Sequence, residues 1–153
     1  MNREQAITAT AFIHRTNKGT IELFAPKRAS SKKFLPDKFE LPGGHVEWGE
    51  EIEKGLVREI QEEFHVGIEV EYPFYVFTYI NHATGTHSVE VVYFATIQPK
   101  EQEIKLNSHD HSEYRWAPRE EALTLWDQED NEYLAVERGF NIVQQSFTSE
   151  NPR

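Results

Sequence analysis

The chain is expected to fold as an α+β domain, and three observations say so. Strand-like runs lie on both sides of one strongly amphipathic central helix, and further helical runs come only near the end. The chain has 153 residues, 38% hydrophobic and 27% charged, which is enough apolar material for one buried core. The element order fits an α/β/α sandwich but also allows other α+β topologies.

Ala6–His14 alternates small residues with Ile and Thr and predicts the first strand. Thr16-Asn17-Lys18-Gly19 predicts a hairpin turn in which glycine supplies the positive φ, and Thr20–Ala25 returns as the second strand. Pro26–Lys38 is then expected to be a polar loop carrying Lys27, Arg28, Lys32, Lys33 and Lys38. Beyond the central helix, Ile68–Ile80 and His87–Gln98 predict an antiparallel hairpin rich in rings (Phe74, Tyr75, Phe77, Tyr79, Tyr93, Phe94), mostly for the core, with one available to stack on a substrate. Lys100–Asp110 reads as loop and Glu113–Trp116 as a short strand. Pro118–Trp126 predicts a helix with proline at its first position, and Asn131–Phe147 the second large helix. Residues 1–153 are expected to form one domain, with Thr148–Arg153 a disordered tail.

The formal net charge of −10 argues against binding a nucleic acid polymer, whose phosphates demand Lys and Arg. With no cysteine, disulfides and thiolate chemistry are excluded. No apolar run is long enough to span a membrane and the N-terminus lacks a signal-peptide core, so a cytoplasmic location without a membrane partner is expected.

The chemistry concentrates in Gly43–Val66. From Glu50 to Phe64 the pattern is helical, with Leu56, Val57, Ile60 and Phe64 on one apolar face. Glu59, Glu62 and Glu63 stand at i, i+3 and i+4, where like charges cost about 0.2–0.5 kcal/mol per pair. They also sit in the last turns, where each opposes the helix dipole by about 0.3–1 kcal/mol. A solvated acidic face is the ordinary account of such a run. Here the preceding Leu41-Pro42-Gly43-Gly44 lets the backbone turn tightly and approach a ligand. Arg58 can neutralise one carboxylate, and three converging oxygens suit a hard divalent cation such as Mg²⁺. The basic loop before it could receive phosphate oxygens, Arg28 best of all because its planar fork matches phosphate.

Gly44, five residues, Glu50, seven residues and then Arg58-Glu59-Ile60-Gln61-Glu62-Glu63 resemble the Nudix box, the signature of the Nudix (MutT-like) hydrolases. The resemblance is strongest over Leu41–Glu63. It implies a mixed sheet between helices and Mg²⁺-dependent hydrolysis of a nucleoside diphosphate linked to a group X, with Mn²⁺ as a substitute ion. It further implies Glu59 and Glu63 as direct metal ligands, Glu62 as a ligand or the holder of a metal-bound water, and the Gly43 carbonyl as an added ligand. Arg58 would orient a carboxylate and Glu50 would brace the loop. Substrate would meet Arg28, Lys38 and Gly44. The family often recruits a further acid from a loop distant in sequence, for which Glu113 is the candidate; the general base is either Glu62 or Glu113. A (deoxy)nucleoside triphosphate is the first substrate expectation. ADP-ribose or a nucleoside diphosphate sugar is the alternative, and a binding module without catalysis a second one. Homodimers are common in the family.

In one respect the chain departs from the family pattern: His65 stands two residues after Glu63 where the family has glycine. Either His65 adopts the left-handed cap conformation or the helix runs on to Gly67. His109 and His111, without cysteines or further histidines at supporting spacing, are expected to be surface residues rather than zinc ligands.

Overall fold

The computed structural model describes residues 3–150. In chain order the elements are β1 (Gln5–Asn17), β2 (Thr20–Arg28), β3 (Gly43–His45), α1 (Ile52–Phe64), β4 (Ile68–Asn81), β5 (Thr86–Ile97), β6 (His111–Pro118), α2 (Arg119–Leu125) and α3 (Tyr133–Glu150). Five strands run in the order β4-β5-β1-β2-β6, and β3 pairs with β1 off that path.

The length of β1 makes this arrangement work. Its first half pairs with β3 (Thr8 opposite His45, Thr10 opposite Gly43), and its second half pairs with β2 (His14 opposite Leu23). On its other side β1 runs parallel to β5 from Gln5 to Ile13. The remaining pairings are antiparallel, so the sheet is mixed.

Strand alternation separates two cores. Ala9, Ala11 and Ile13 of β1 meet Leu56, Ile60 and Phe64 of α1 on one face. Phe12 meets Ala122, Trp126, Ala135, Val136 and Phe140 of the α2–α3 side on the other. The result is the predicted α+β fold, a mixed sheet between helical layers.

Several boundaries differ from expectation for physical reasons. β2 continues through Pro26, Lys27 and Arg28, because β6 lies beside it and Arg28 pairs opposite His111; the basic loop therefore begins only after Arg28. β6 starts at His111 instead of Glu113 through the same pairing. Pro118 is the extended N-cap of α2, one place before the first helical residue. α1 begins at Ile52, not Glu50. Val57, at the edge of the apolar arc, is 36% exposed, while Leu56, Ile60 and Phe64 are fully buried. α3 runs to Glu150, so the expected tail at 148–150 is helical, and 151–153 lie outside the described residues.

Candidate functional site

The helix end next to the acids is settled by His65. With φ 60° and ψ 31° it takes the left-handed cap, and its N–H donates to the Gln61 carbonyl. Its ring lies 2.9 Å from the Lys105 carbonyl, which anchors a conformation that costs a non-glycine residue energy.

Two glycines let α1 lie close against the β3 edge. Gly43 has φ 153°, and a Cβ there would fall 2.0 Å from the Ala9 carbonyl oxygen. A Cβ on Gly44 would fall 2.4 Å from the carboxyl carbon of Glu59. The space a side chain would fill on Gly44 is thus the space the Glu59 carboxylate occupies.

Arg58 organises one side of the cluster. Its Nε donates to Glu50 Oε2 at 2.8 Å and its NH2 to Glu50 Oε1 at 3.0 Å, a bidentate pair. NH1 reaches Glu59 Oε1 at 3.0 Å and Glu62 Oε2 at 3.2 Å, and NH2 also donates to the His45 carbonyl. Glu50 accepts the Glu47 N–H as well, so it ties the loop to the helix. The Arg58 guanidinium and that N–H hold the Glu50 carboxyl down to about 2. Burial raises Glu59 above the ordinary carboxylate range, with Arg58 opposing. Glu62 is mostly exposed.

Glu63 is handled differently. It is half-buried, and its Oε2 has no hydrogen-bond partner among the described residues. Burial, then the charges of Glu40, Asp110 and Glu59, push its carboxyl up to about 8. Leaving a buried carboxylate oxygen without a partner is costly, so the group either keeps its proton or takes a cation in its place. The donor set is hard oxygen, and the missing side chain at Gly44 leaves the room that the Glu59 carboxylate takes. A divalent ion with oxygen preference fits these residues.

Beside this cluster opens a cleft of about 230 Å³, lined by Thr8, Thr10, Arg28, Lys38, Gly44, Glu63, Phe77, Tyr79, Glu90 and Glu132 among others. Arg28 is not a free fork. Its Nε donates to the Phe34 carbonyl and its NH1 to Glu40 Oε2, both at 2.9 Å. Lys38 pairs with Asp127 at the rim. Phe34 stacks on Tyr79 with ring centroids 6.1 Å apart, giving the cleft an aromatic wall.

Glu113 does not join the cluster. It sits opposite Lys27, is half-buried, and pairs with Arg115 at 3.4 Å. The residue that β6 delivers to the acids is His111, 2% exposed, with Nε2 2.8 Å from Glu40 Oε1. The surface expectation holds for exposed His109 but fails for His111, whose place at the start of a paired strand points it inward against Phe64. Glu40, Glu63 and His111 bring ligand atoms within 4.8 Å of one another.

Sequence reasoning also missed Glu90 and Glu132 at the inner end of the cleft. Glu90 accepts from Thr10 Oγ1 at 3.0 Å, and Glu132 Oε1 accepts the Leu41 N–H at 3.0 Å. Burial raises both; the charge and hydrogen bond of Glu90 raise Glu132 further, while the hydrogen bond from Glu132 lowers Glu90. An acid at an alternating strand position was the one signal available for Glu90.

This arrangement is that of a Nudix hydrolase. A sequence model of the Nudix domain matches residues 4–136, and the chain belongs to that family of pyrophosphohydrolases. No curated protein matches by sequence. Among solved structures, a MutT Nudix hydrolase from Burkholderia pseudomallei is 25% identical, with 88% of this chain and 96% of that one covered and a TM-score of 0.66. The Ap4A hydrolase of C. elegans, solved as a binary complex, gives a TM-score of 0.73 at 21% identity over 92% of this chain and 98% of that one. The Nudix domain of Shewanella oneidensis NrtR, solved with ADP-ribose, gives 0.71 at 20% identity over 93% and 90%.

Proposed function

We propose that this chain hydrolyses the diphosphate linkage of a (deoxy)nucleoside triphosphate, releasing the nucleoside monophosphate and pyrophosphate, with Mg²⁺ as cofactor and Mn²⁺ as a substitute. The observation that carries this reading is Glu63, a half-buried carboxylate with an unpartnered oxygen beside Glu59, under a double glycine. When bound, the ion would neutralise charge on the phosphates and lower the pKa of a water.

Glu59 and Glu63 would hold the ion, with the Gly43 carbonyl as a further ligand. Arg58 fixes the carboxylates of Glu59 and Glu62, and is itself fixed by Glu50. Glu62, held by Arg58 and open to solvent, would take a proton from water, with Glu113 the other candidate. Gly44 leaves room for the phosphates to approach. Lys38 and Arg28 face the same cleft, although both already carry an acid partner, so their role is to set the local potential as much as to grip phosphate. Phe77 and Tyr79 supply faces on which a base can stack.

The acidic balance supports a small nucleotide as partner and not a polymer. Among the described residues, no helix is long and apolar enough to cross a membrane, in keeping with a cytoplasmic enzyme, alone or as a homodimer. A panel of nucleoside triphosphates, ADP-ribose and nucleoside diphosphate sugars, run with Mg²⁺ and with Mn²⁺ and read by chromatography, tests the proposal. Pyrophosphate from a triphosphate is the expected product. Cleavage of ADP-ribose alone would move the chain to the diphosphate-sugar class, and no cleavage of any substrate would make it a binding module.

A further inference from the structure

We propose that Glu90, at the inner end of the cleft, reads the base of the nucleotide by accepting hydrogen bonds from an edge with two adjacent N–H donors, as guanine has, and that Glu132 is the residue that positions it. This deepens the hydrolase reading, on which it rests for the ligand in the cleft.

The sheet builds a polar floor where a strand pair ordinarily packs apolar side chains. On β5, Glu90 is level with Thr8 of β1 on one side and with Phe77 of β4 on the other, so one row across three strands presents a hydroxyl, a carboxyl and a ring. Thr8, Thr10, Ser88 and Glu90 of β1 and β5 are all buried, and Thr8, Thr10 and Glu90 line the cleft. Burying a polar group is costly unless it is hydrogen-bonded, yet Thr8 Oγ1 finds no partner among the described residues. An unanswered hydroxyl beside a buried acid, in the wall of an open cleft, suits the polar edge of a ligand. Phe77 and Tyr79, the latter stacked on Phe34, supply ring faces next to that floor.

The bonds already made decide what that edge is. Glu90 Oε2 accepts from Thr10 Oγ1 at 3.0 Å. Glu132 Oε1 accepts the Leu41 N–H at 3.0 Å and the Trp126 Nε1–H at 3.3 Å. Burial favours the protonated form of both acids, and their mutual hydrogen bond raises Glu132 and lowers Glu90, so Glu132 keeps its proton and donates it to Glu90. A carboxylate has about four acceptor sites, and Thr10 and Glu132 use two of those on Glu90. What is left to a ligand is acceptance alone. Guanine sets a ring N–H beside an amino group, two donors that a carboxylate accepts as a pair. Adenine and cytosine place their amino group beside a bare ring nitrogen, whose lone pair a carboxylate repels, and thymine flanks its single N–H with carbonyls.

The test is kcat/KM of the full chain with Mg²⁺ for dGTP, dITP, dATP and dTTP, in the wild type, E90Q and E132Q. Because dITP lacks only the amino group of dGTP, it isolates one donor. The wild type should favour dGTP over dITP by about 10-fold and over dTTP by about 10- to 100-fold. E90Q puts a donor where an acceptor was, so its dGTP to dITP ratio should fall close to one, with the loss in KM. E132Q still donates to Glu90, still accepts from Leu41 and keeps the pair's single charge, so it should retain the ratio; a merely structural role would make the two variants alike. A wild type without preference, or an E90Q that keeps the dGTP preference, overturns the proposal and leaves the hydrolase reading standing. Should E90Q not fold, E90D takes its place, with the carboxylate drawn back by one methylene: the same fall is expected, and an unchanged ratio overturns the proposal. If no triphosphate is cleaved, calorimetric titration of dGMP and dIMP into the wild type and E90Q separates the two claims. A Glu90-dependent preference for dGMP keeps the base reader and sinks the hydrolase reading, and equal or absent binding sinks both.

Discussion

Two acid groups share the C-terminal half of α1, and the protein treats them in opposite ways. On one side Arg58 serves Glu50, Glu59 and Glu62, and Glu50 is held down to about 2. On the other side Glu63 makes no ion pair among the described residues, and burial with the nearby charges of Glu40, Asp110 and Glu59 pushes it up to about 8. One arginine makes the first group a rigid, pre-paid scaffold. The second has no built-in partner, and either a proton or a bound cation must offset its charge. The difference teaches that a helix can carry three acids in close order if one cation is built in and the remaining charge is offset by a proton or a bound ion.

The sharpest way to break this contrast is E63Q. The amide keeps the shape and removes the charge, so turnover with Mg²⁺ should fall by more than the 10- to 100-fold typical of outer-shell partners of a metal (about 100-fold or more) with the fold intact by circular dichroism. Turnover near that of the wild type would contradict it. Next is R58K, which keeps the charge but cannot make the bidentate pair with Glu50. A drop of about 10- to 100-fold in kcat, with a smaller change in KM, is expected from misplaced Glu59 and Glu62.

A third prediction concerns the buried acids Glu90 and Glu132. Because burial raises their folded values, they favour the folded state when protonated, and that contribution is lost as pH rises above the ordinary carboxylate range. The wild type should therefore lose thermal stability between about pH 5 and about pH 8 more steeply than E90Q, whose amide cannot ionise. Parallel curves for the two proteins would show that Glu90 does not titrate as described. The smallest effect belongs to E113Q. Its exposed pair with Arg115 is worth little, so stability should stay within about 0.5 kcal/mol, and kcat should hold, because the side chain pairs with Arg115 and does not line the cleft. A large loss of kcat would return Glu113 to the list of candidate bases.

The sequence carried the contrast only in part. Glu59, Glu62 and Glu63 could be grouped because helical spacing is local, and the double glycine before them signalled close approach. Strand and helix order was legible for the same reason: hydrophobic period survives without tertiary information. Glu40 and His111 could not be found that way. They meet Glu63 through the pairing of β2 with β6, which puts Arg28 opposite His111; a lone histidine in a polar stretch reads as surface until that register is known. The β6 start and the β2 end were misplaced together, since each boundary is set by the other strand. Arg28 lines the cleft, yet its partner Glu40 lies twelve residues on in a loop, and nothing local couples the two. Glu113, two residues beyond His111, drew attention because it is an acid, although strand pairing turns it outward.

The most direct test of the account is the melting temperature of the wild type and of E63Q at about pH 8 as Mg²⁺ is added, since a cation that binds only the folded state must raise stability by mass action. The wild type should gain several degrees with saturating Mg²⁺ and E63Q little or none. A wild-type melting temperature that ignores Mg²⁺ and Mn²⁺ alike would mean that the unpaired acid of α1 is not waiting for a metal ion.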